Sequence, residues 1–315
     1  MSFDDIRHRL NKGRPLVLDA DTGASFRARR VTLDTPGELG RLLREDQARV
    51  LAHYRAEISS RVDVLSALTM DTTPRALAEV GMQHRAAMLT GVAVDLAMEA
   101  LAHAEKPVAV AGVLGSEMLA PLAANRLHEE FVEHANRLAN AGCELLIARG
   151  QGSRLGLMAA VVAAASTELP TWAVVECLPN GEPIIGGAVG PLVEALQEAG
   201  ATALLFEVSS IDSGIALLEL ARSAIAAEGM VPGVLLAAGP LSVRGFWDES
   251  SDPDAWARRA IELDMHGARI IGGGAGTTEA HTQALAKGLG ELHPSLPATR
   301  SDTEIDHDLL RPSAS

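Results

Sequence analysis

The stretch Gly267-Ala268-Arg269-Ile270-Ile271-Gly272-Gly273-Gly274-Ala275-Gly276-Thr277-Thr278 lies near the end of the 315-residue chain and decides the fold. Its apolar centre predicts a buried strand, and its glycines predict a tight loop before a helix. An open nucleotide-binding sheet places such glycines directly after an early strand, where this chain has Asp19-Ala20-Asp21-Thr22-Gly23 instead. A glycine loop after the last strand is typical of a (β/α)8 barrel, where backbone N–H groups build an anion site. A tight turn without a ligand is an equally good interpretation of this loop.

Upstream of this loop, short apolar runs alternate with longer segments of helical period, and eight such cycles can be counted. Because several runs are apolar throughout, they suit a parallel sheet that is covered on both faces. We therefore predict an α/β fold, a (β/α)8 TIM barrel over residues 1–296, and a mobile tail over residues 297–315. The predicted strands are Pro15–Ala20, Val62–Leu68, Pro107–Val113, Cys143–Arg149, Thr171–Cys177, Ala203–Val208, Val231–Ala237 and Ala268–Gly272.

Two helical segments have clear signals in the sequence. Asp71-Thr72-Thr73-Pro74 offers capping side chains and an early proline, which predicts a helix over 75–104 with a break near Gly91. The apolar run from Leu155 to Ala165 is too short to cross a bilayer, which takes about 20 residues. We interpret it as a helix with a buried face.

The composition excludes several classes of partner. Acidic residues outnumber basic ones by 41 to 27, a net charge of −14, and no basic run is interleaved with aromatic residues, so we expect no nucleic-acid partner. The N-terminus does not resemble a signal peptide, so we expect a cytoplasmic protein that does not bind membranes. The alanine-rich helices offer flat packing surfaces that are compatible with a homo-oligomer.

Three segments resemble the homocysteine S-methyltransferase family, including its betaine-dependent and methionine synthase branches. The first is the stretch from Val62 to Leu77, which reads VDVLSALTMDTTPRAL, and the second is AVAGVLG at 109–115. The third and most specific is the glycine-rich stretch quoted above, followed by His281. The resemblance spans almost the whole predicted barrel and implies the fold and methyl transfer to a thiol.

The resemblance also implies a zinc site, and this chain departs from the family there. The family binds zinc with one cysteine at the end of strand six and an adjacent pair after strand eight, and the metal activates the substrate thiol. The matching positions carry Val208, Gly274 and Ala275, and neither Cys143 nor Cys177 falls at a ligand position. We therefore expect neither zinc nor any other bound cofactor, while oxygen ligation of magnesium or manganese stays an alternative.

A second departure concerns the substrate. The family glutamate that holds the amino group of homocysteine is matched by Arg149. Since a guanidinium attracts carboxylate, sulfonate or phosphate, it predicts a small anionic substrate.

The active site of a barrel lies at the carboxyl ends of its strands, and polar residues collect at several of those ends. Glu176 and Glu207 end apolar runs, where a carboxylate is costly unless it is paired or used. The alternatives are proton chemistry by these acids or a buried network with Arg149. The predicted catalytic residues are Glu176, Glu207 and Asp19, and the predicted substrate-binding residues are Arg149, Asp21, Thr69, Asp71, Gly272, Gly273 and Gly274.

Three functions fit these observations. The first is zinc-independent methyl transfer to or from the anionic substrate, with an unknown methyl donor. The second is a lyase, hydrolase or isomerase reaction run by the carboxylates, and the third is a barrel that binds a ligand without catalysis. New charged residues replace the old ones at the expected site, which favours an enzyme.

Overall fold

A computed structural model describes residues 3–31, 33, 35–115, 122–150, 152–239 and 251–293. The predicted tail from residue 297 onward lies outside the described residues. All eight predicted strands are present, and they form one closed barrel in sequence order in which every neighbouring pair is parallel. The (β/α)8 barrel prediction is therefore confirmed. The strands are β1 Leu16–Leu18, β2 Val64–Ser66, β3 Ala109–Leu114, β4 Leu145–Arg149, β5 Thr171–Glu176, β6 Ala203–Val208, β7 Val231–Leu236 and β8 Ile270–Gly273.

Helices follow the strands around the outside of the barrel. One further helix, α1, precedes the first strand and lies at the end of the barrel where the strands begin. In the described part of the chain the α-helices are α1 Phe3–Asn11, α2 Thr22–Ala28, α3 Glu38–Glu45, α4 Gln47–Ser59, α5 Pro74–Ala78, α6 Ala86–Ala100, α7 Ala124–Asn140, α8 Arg154–Ala165, α9 Val189–Glu198, α10 Ile211–Ala227, α11 Pro253–Ala260, α12 Glu262–Met265 and α13 Glu279–Leu292.

The predicted break near Gly91 is wrong. Gly91 lies inside α6, whereas the helical segment is interrupted at 79–82. Gly81 lies in this interruption, three residues beyond the end of α5, and has a φ of 71°, a left-handed conformation that glycine adopts without strain. The predicted N-terminal cap of that helix is present, because the Thr73 side chain accepts from Ala76 N and Pro74 occupies its first turn.

The barrel has an inner and an outer core. Inside the barrel, side chains such as Leu16, Ile147, Trp172 and Leu205 pack together, and Ile6 of α1 is fully buried among them. Since Ile6 enters from the end where the strands begin, α1 closes the bottom of the barrel. The outer core lies between strands and helices, and in the described part of the chain a cavity opens at the carboxyl ends of the strands.

The apolar run in α8 is a helix with a buried face, as predicted. Leu157, Ala160 and Val161 are buried, whereas Leu155 and Val162 are exposed. Within the described residues, the helical stretch Gln83–His103 is long and apolar enough to span a membrane by length and composition alone. Helices in the cores of globular proteins pass the same test, and 44% of its most apolar part is buried in the barrel.

Candidate functional site

A cavity of about 550 Å³ opens at the mouth of the barrel. Nine of the ten predicted site residues line it, and they come from the ends of strands β1, β2, β4, β5, β6 and β8. Gly272 is the exception, because it lies below the cavity between Leu18 and Leu235. The residues that line the cavity as predicted are Asp19, Asp21, Thr69, Asp71, Arg149, Glu176, Glu207, Gly273 and Gly274.

Arg149, Glu176 and Glu207 form an ion-pair cluster on one side of the mouth, which we call the mouth triad. The parallel register sets Arg149 beside Val174 of β5 and Glu176 beside Glu207 of β6. The Arg149 guanidinium therefore binds Glu207 directly, and its Nη2 atom lies 3.7 Å from Glu176 Oε1. The three side chains keep 24%, 23% and 19% of their surface exposed, so the cluster faces the cavity. This arrangement is the carboxylate–Arg149 network that the sequence left as an alternative to proton chemistry.

Asp19 lies across the mouth from this triad and is almost fully buried. Its carboxylate accepts hydrogen bonds from Ser66 N at 2.7 Å and from Ser66 Oγ at 2.8 Å. Burial raises the pKa of Asp19 to about 6, although the Ser66 hydrogen bonds and the positive charge of Arg149 act in the opposite direction. A carboxyl group with that pKa in a cavity is suited to exchange protons near neutral pH.

Asp21 and the glycine loop hold each other in place. Asp21 accepts from Gly23 N at 2.8 Å, which caps α2, and from Gly276 N at 3.0 Å. The N–H groups of Gly273 and Gly274 donate to Asp19 O and Leu236 O. These three loop N–H groups therefore bind the protein itself and are not offered to a substrate anion.

The glycines of this loop are required by packing. A Cβ atom on Gly273 would lie 2.2 Å from Thr277 Oγ1, and one on Gly274 would lie 3.0 Å from Ala237 N. Real Cβ atoms essentially never approach another atom closer than 3.0 Å, so a side chain at Gly273 forces a shift. The tight-turn interpretation of the loop thus describes what these glycines do in the structure.

Thr69 supports the mouth from below. Its side chain is buried, donates to Val113 O at 3.0 Å and accepts from Val113 N at 2.9 Å. His134 Nε2 of α7 donates to Thr69 O at 3.0 Å. These bonds fix the loop that carries Met70 and Asp71 to the cavity.

Sequence reasoning missed several residues of the cavity. The apolar pattern predicts a second strand over Val62–Leu68 with Ser66 inside it, whereas β2 ends at Ser66. Its position in the pattern Asp63-Val64-Leu65-Ser66, one polar residue closing an apolar run, is the signal that was available. Arg27 and Ile184 also line the cavity, and they come from a helix and a loop that the strand pattern does not reach.

The residues at the family's zinc positions do not fit a zinc ion. Val208 lies beside Leu236, which lies beside Gly273, so the strand-six and strand-eight positions do meet at the cavity as the resemblance implies. Val208, Gly274 and Ala275 have no side-chain donor atom for a metal. The described residues contain no group of three or more His, Cys, Asp and Glu side chains arranged to hold a metal ion.

Neither cysteine compensates for this loss. Burial raises the pKa of Cys143 to about 12, and that thiol lies in the outer core. Cys177 lines the cavity, and burial together with the nearby Glu207 and Glu176 raises its pKa to about 12. Both free thiols are therefore weak nucleophiles at neutral pH, because the thiolate is the form that attacks a substrate.

Solved structures with the same fold include a homocysteine methyltransferase. The Escherichia coli homocysteine methyltransferase MmuM in its metallated form superimposes with a TM-score of 0.73 and 18% identity, over 90% of this chain and 99% of that one. Its oxidized form gives 0.72 and 19%, over 90% and 98%. A 3-dehydroquinate dehydratase from Geobacillus kaustophilus HTA426 gives 0.51 and 11%, over 90% and 93%. At these identities the likeness shows the fold alone.

The family assignment comes from the sequence. No curated protein sequence gives a significant match to this chain. Residues 16–289, from the start of β1 into α13, match the family described as homocysteine S-methyltransferase. The chain therefore belongs to the homocysteine S-methyltransferase family and lacks the cysteines with which that family binds zinc.

Proposed function

We propose that the chain is a zinc-independent methyltransferase that moves a methyl group to or from a small substrate bound at the mouth of the barrel. The observation that carries this proposal is the family match over residues 16–289, which includes every strand that contributes to the cavity. Since Val208, Gly274 and Ala275 cannot hold zinc, another group must deprotonate the methyl acceptor.

Asp19 is the side chain best placed for that role. In a displacement reaction the acceptor atom bonds to the methyl carbon as the bond from donor to methyl breaks, and the acceptor proton passes to a base. With a pKa of about 6, the Asp19 carboxyl is mostly ionised at neutral pH and can accept this proton. Ser66 holds the carboxylate in a fixed orientation through two hydrogen bonds.

The sequence predicts that Glu176 and Glu207 are catalytic as well. In the proposed mechanism they position the Arg149 side chain. Both carboxylates lie next to the Arg149 guanidinium, so they hold that side chain in the cavity wall. The sequence predicts that Arg149 binds an anionic substrate group. Because Glu207 is the closer partner and Glu176 lies 3.7 Å away, we propose that such a group displaces Glu176 and leaves the Arg149–Glu207 pair intact.

The test is a methyl-transfer assay with donors labelled with ¹³C in the methyl group. Betaine, S-methylmethionine and methyl-folate are each paired with thiol, amine and carboxylate acceptors, with and without a strong chelator. We expect transfer that survives the chelator, and no appreciable methylation of homocysteine, because zinc activation is missing and Arg149 stands where the family has the glutamate that holds the amino group. Activity that disappears with the chelator and returns with zinc would contradict the proposal.

Two variants test the base. Asp19→Asn should lower kcat by about 100-fold or more, since general base catalysis contributes about 10²- to 10⁴-fold. Activity of the wild type should fall as the pH drops below about 6, where Asp19 becomes protonated. Ser66→Ala removes a hydrogen bond that favours the charged form, so it should move this fall to higher pH. An acidic limb that is the same in wild type and Ser66→Ala would exclude Asp19 as the base.

Other properties follow from the same proposal. We propose that the protein works in the cytoplasm without a resident cofactor or a nucleic-acid or membrane partner, in line with its net charge of −14. Size-exclusion chromatography with light scattering tests whether it forms a homo-oligomer.

A further inference from the structure

The wall of the cavity has more acidic than basic side chains. Five carboxyl groups and two guanidinium groups line it, whereas no lysine or histidine occurs among the described residues that do so. The lining side chains therefore bring a surplus of negative charge to the mouth of the barrel. The acids are Asp19, Asp21, Asp71, Glu176 and Glu207, and the cations are Arg27 and Arg149.

The surplus is larger on one side of the mouth than on the other. Asp19 and Asp21 follow β1, and Asp71 follows β2. The guanidinium group on this side is that of Arg27 in α2, which lies 3.7 Å from Asp21. On the opposite side, the mouth triad sets two carboxylates against one guanidinium. Three acids against one cation make the β1–β2 side the better place for a positive group of a ligand.

The Cys177 thiol reports the charge of the triad side. It lines the cavity, and burial together with the negative charges of Glu207 and Glu176 raises its pKa to about 12. An environment that keeps the proton on this thiol also disfavours the thiolate of a substrate, because both place a negative charge beside the same carboxylates. A cationic group is favoured for the same reason.

Two kinds of methyl acceptor differ in how they meet this negative charge. A thiol reacts as an anion, and the family's zinc positions carry no donor atom for a metal that would stabilise it. An amine has a pKa of about 10, so it enters as an ammonium ion and reacts as the neutral amine. The acidic wall attracts the ammonium ion, and a carboxylate can take its proton.

We propose that the methyl acceptor is an amine that binds as an ammonium ion at Asp19, while an anionic group at the far end of the same molecule binds Arg149. Asp19 lies across the mouth from Arg149, so the two charges of the substrate stand apart, unlike those of an α-amino acid. A cavity of about 550 Å³ has room for such a molecule, since ligand sites typically have about 300–1,000 Å³. The inference rests on the proposed function for methyl transfer and for the contact with Arg149.

The transfer step conserves atoms and charge. Asp19 accepts one N–H proton of the ammonium ion, and the nitrogen lone pair forms a bond to the methyl carbon. The bond from the donor to the methyl group breaks, and its electron pair stays with the donor. The product is a methylated ammonium ion, and Asp19 releases its proton to water once the product has left.

The experiment is calorimetric titration of the full chain at pH 8, where Asp19, with a pKa of about 6, is ionised and an amine is protonated. The probes are 4-aminobutyrate and 6-aminohexanoate, each with the hydroxy acid and the thiol acid of the same length. The better amino probe should bind at least about tenfold more tightly than its hydroxy analogue, because hydrogen bonds between charged groups are stronger than neutral ones. 2-Aminobutyrate, whose charges are adjacent, should bind more weakly than 4-aminobutyrate.

Substitutions assign this preference to the β1–β2 side. Asp19→Asn keeps the shape and removes the charge, so it should weaken the amino probe by about tenfold and change the hydroxy probe by less than about twofold. Asp71→Asn should give a smaller loss in the same direction, and it tests the site even where Asp19→Asn fails to fold. Glu129→Gln is the matched control, because this side chain on α7 is 61% exposed and does not line the cavity.

The same probes, incubated with donors labelled with ¹³C in the methyl group, separate this inference from the proposed function. Methylation of the thiol acids in preference to the amino probes would overturn the inference and leave the proposed function standing. A preference for the amino probes that depends on Asp19, without methylation of any probe, would support the ammonium site and count against the proposed function.

Binding alone can also overturn the inference. Equal affinities for amino and hydroxy probes, tighter binding of 2-aminobutyrate than of both longer amino probes, or a preference that survives both asparagine variants would each do so. No binding of any probe at millimolar concentration would have the same consequence.

Discussion

The two ends of the barrel each contain a three-residue ion-pair cluster, and the clusters have opposite composition. At the bottom, one acid lies between two cations: Asp63 accepts from Arg9, Lys106 and Val17 N. At the mouth, one cation lies between two acids, Glu176 and Glu207. The central Asp63 side chain is 1% exposed and its two partners, Arg9 and Lys106, are 32% and 33% exposed. In the mouth triad the central Arg149 side chain itself keeps 24% of its surface open.

The difference comes from what covers each end. Helix α1 carries Arg9 and inserts Ile6 into the barrel, so the chain itself covers Asp63, the central residue of the bottom cluster. The mouth triad borders a cavity of about 550 Å³. Ion pairs therefore stabilise the fold at one end of the barrel and are open to a ligand at the other. Ion pairing alone does not identify a binding site.

The largest expected effect is the loss of stability when the ion-pair cluster at the bottom of the barrel is broken. Asp63→Ala should destabilise the fold by about 3 kcal/mol or more, because it leaves two partly buried cations and Val17 N without their acceptor. Denaturant unfolding measures this loss. Asp63→Asn, which retains an acceptor for Val17 N, should cost less. Binding of a carboxylate probe at the mouth should be unchanged in both variants. A loss of binding would contradict the claim that the bottom cluster has only a structural role.

Arg149→Ala should weaken ligand binding more than it weakens the fold, the reverse of Asp63→Ala. We expect binding of a carboxylate probe to weaken by about 2–5 kcal/mol, as for a charged pair that loses one partner, with a smaller loss of stability than for Asp63→Ala. Arg149→Lys should restore binding only in part, because the planar fork of the guanidinium is lost. A stability loss equal to that of Asp63→Ala with unchanged probe binding would make the mouth triad a purely structural cluster.

Glu57 is expected to have a smaller, pH-dependent effect on the free energy of unfolding. This side chain of α4 is fully buried, and burial together with the negative charges of Asp19 and Glu279 raises its pKa well above the usual range. Because the folded chain keeps this proton while the unfolded chain releases it, stability should fall as pH rises above the ordinary glutamate pKa of about 4.3. Glu57→Gln should remove the part of this slope above about pH 6, where Asp19 is already ionised in both states, and stabilise the fold at neutral pH by about 1 kcal/mol.

The measurement for Glu57 is the free energy of unfolding in urea from pH 4 to pH 8. Glu130→Gln serves as the control, since Glu130 pairs with Arg75 and is not among the charges that act on Glu57. Asp19 should leave a slope below about pH 6 in both variants, whereas a slope above pH 6 that survives Glu57→Gln would assign the pH dependence to a group other than Glu57.

The smallest expected signal is the metal content. Elemental analysis of the purified protein should find no stoichiometric zinc, because the three family positions carry no donor atoms. Restoring cysteines at Val208, Gly274 and Ala275 should not recover a full site without a backbone shift, since a Cβ atom on Gly274 would lie 3.0 Å from both Ala237 N and the Leu236 carbonyl carbon. About one zinc per wild-type chain would overturn the assignment of these positions.

Local sequence determined the strands and much of the site. Continuous apolar runs must be buried, and a run such as Ala203–Val208 is strand β6 with the same bounds. Because carboxyl ends of parallel strands meet at one end of a barrel, polar residues that close those runs could be predicted to line one cavity. Missed residues such as Arg27 and Ile184 lie on a helix and a hairpin, where no strand-end rule applies.

Only the tertiary structure decided what those residues contact. Arg149 and Glu207 are 58 residues apart in the chain, and their pairing depends on the register of β4, β5 and β6. Gly276 N likewise meets Asp21 across 255 residues, because β8 closes the barrel against β1. A strand pattern specifies that a side chain is buried or at a strand end, whereas the partner of a charge is set by distances that exist only once the barrel has closed.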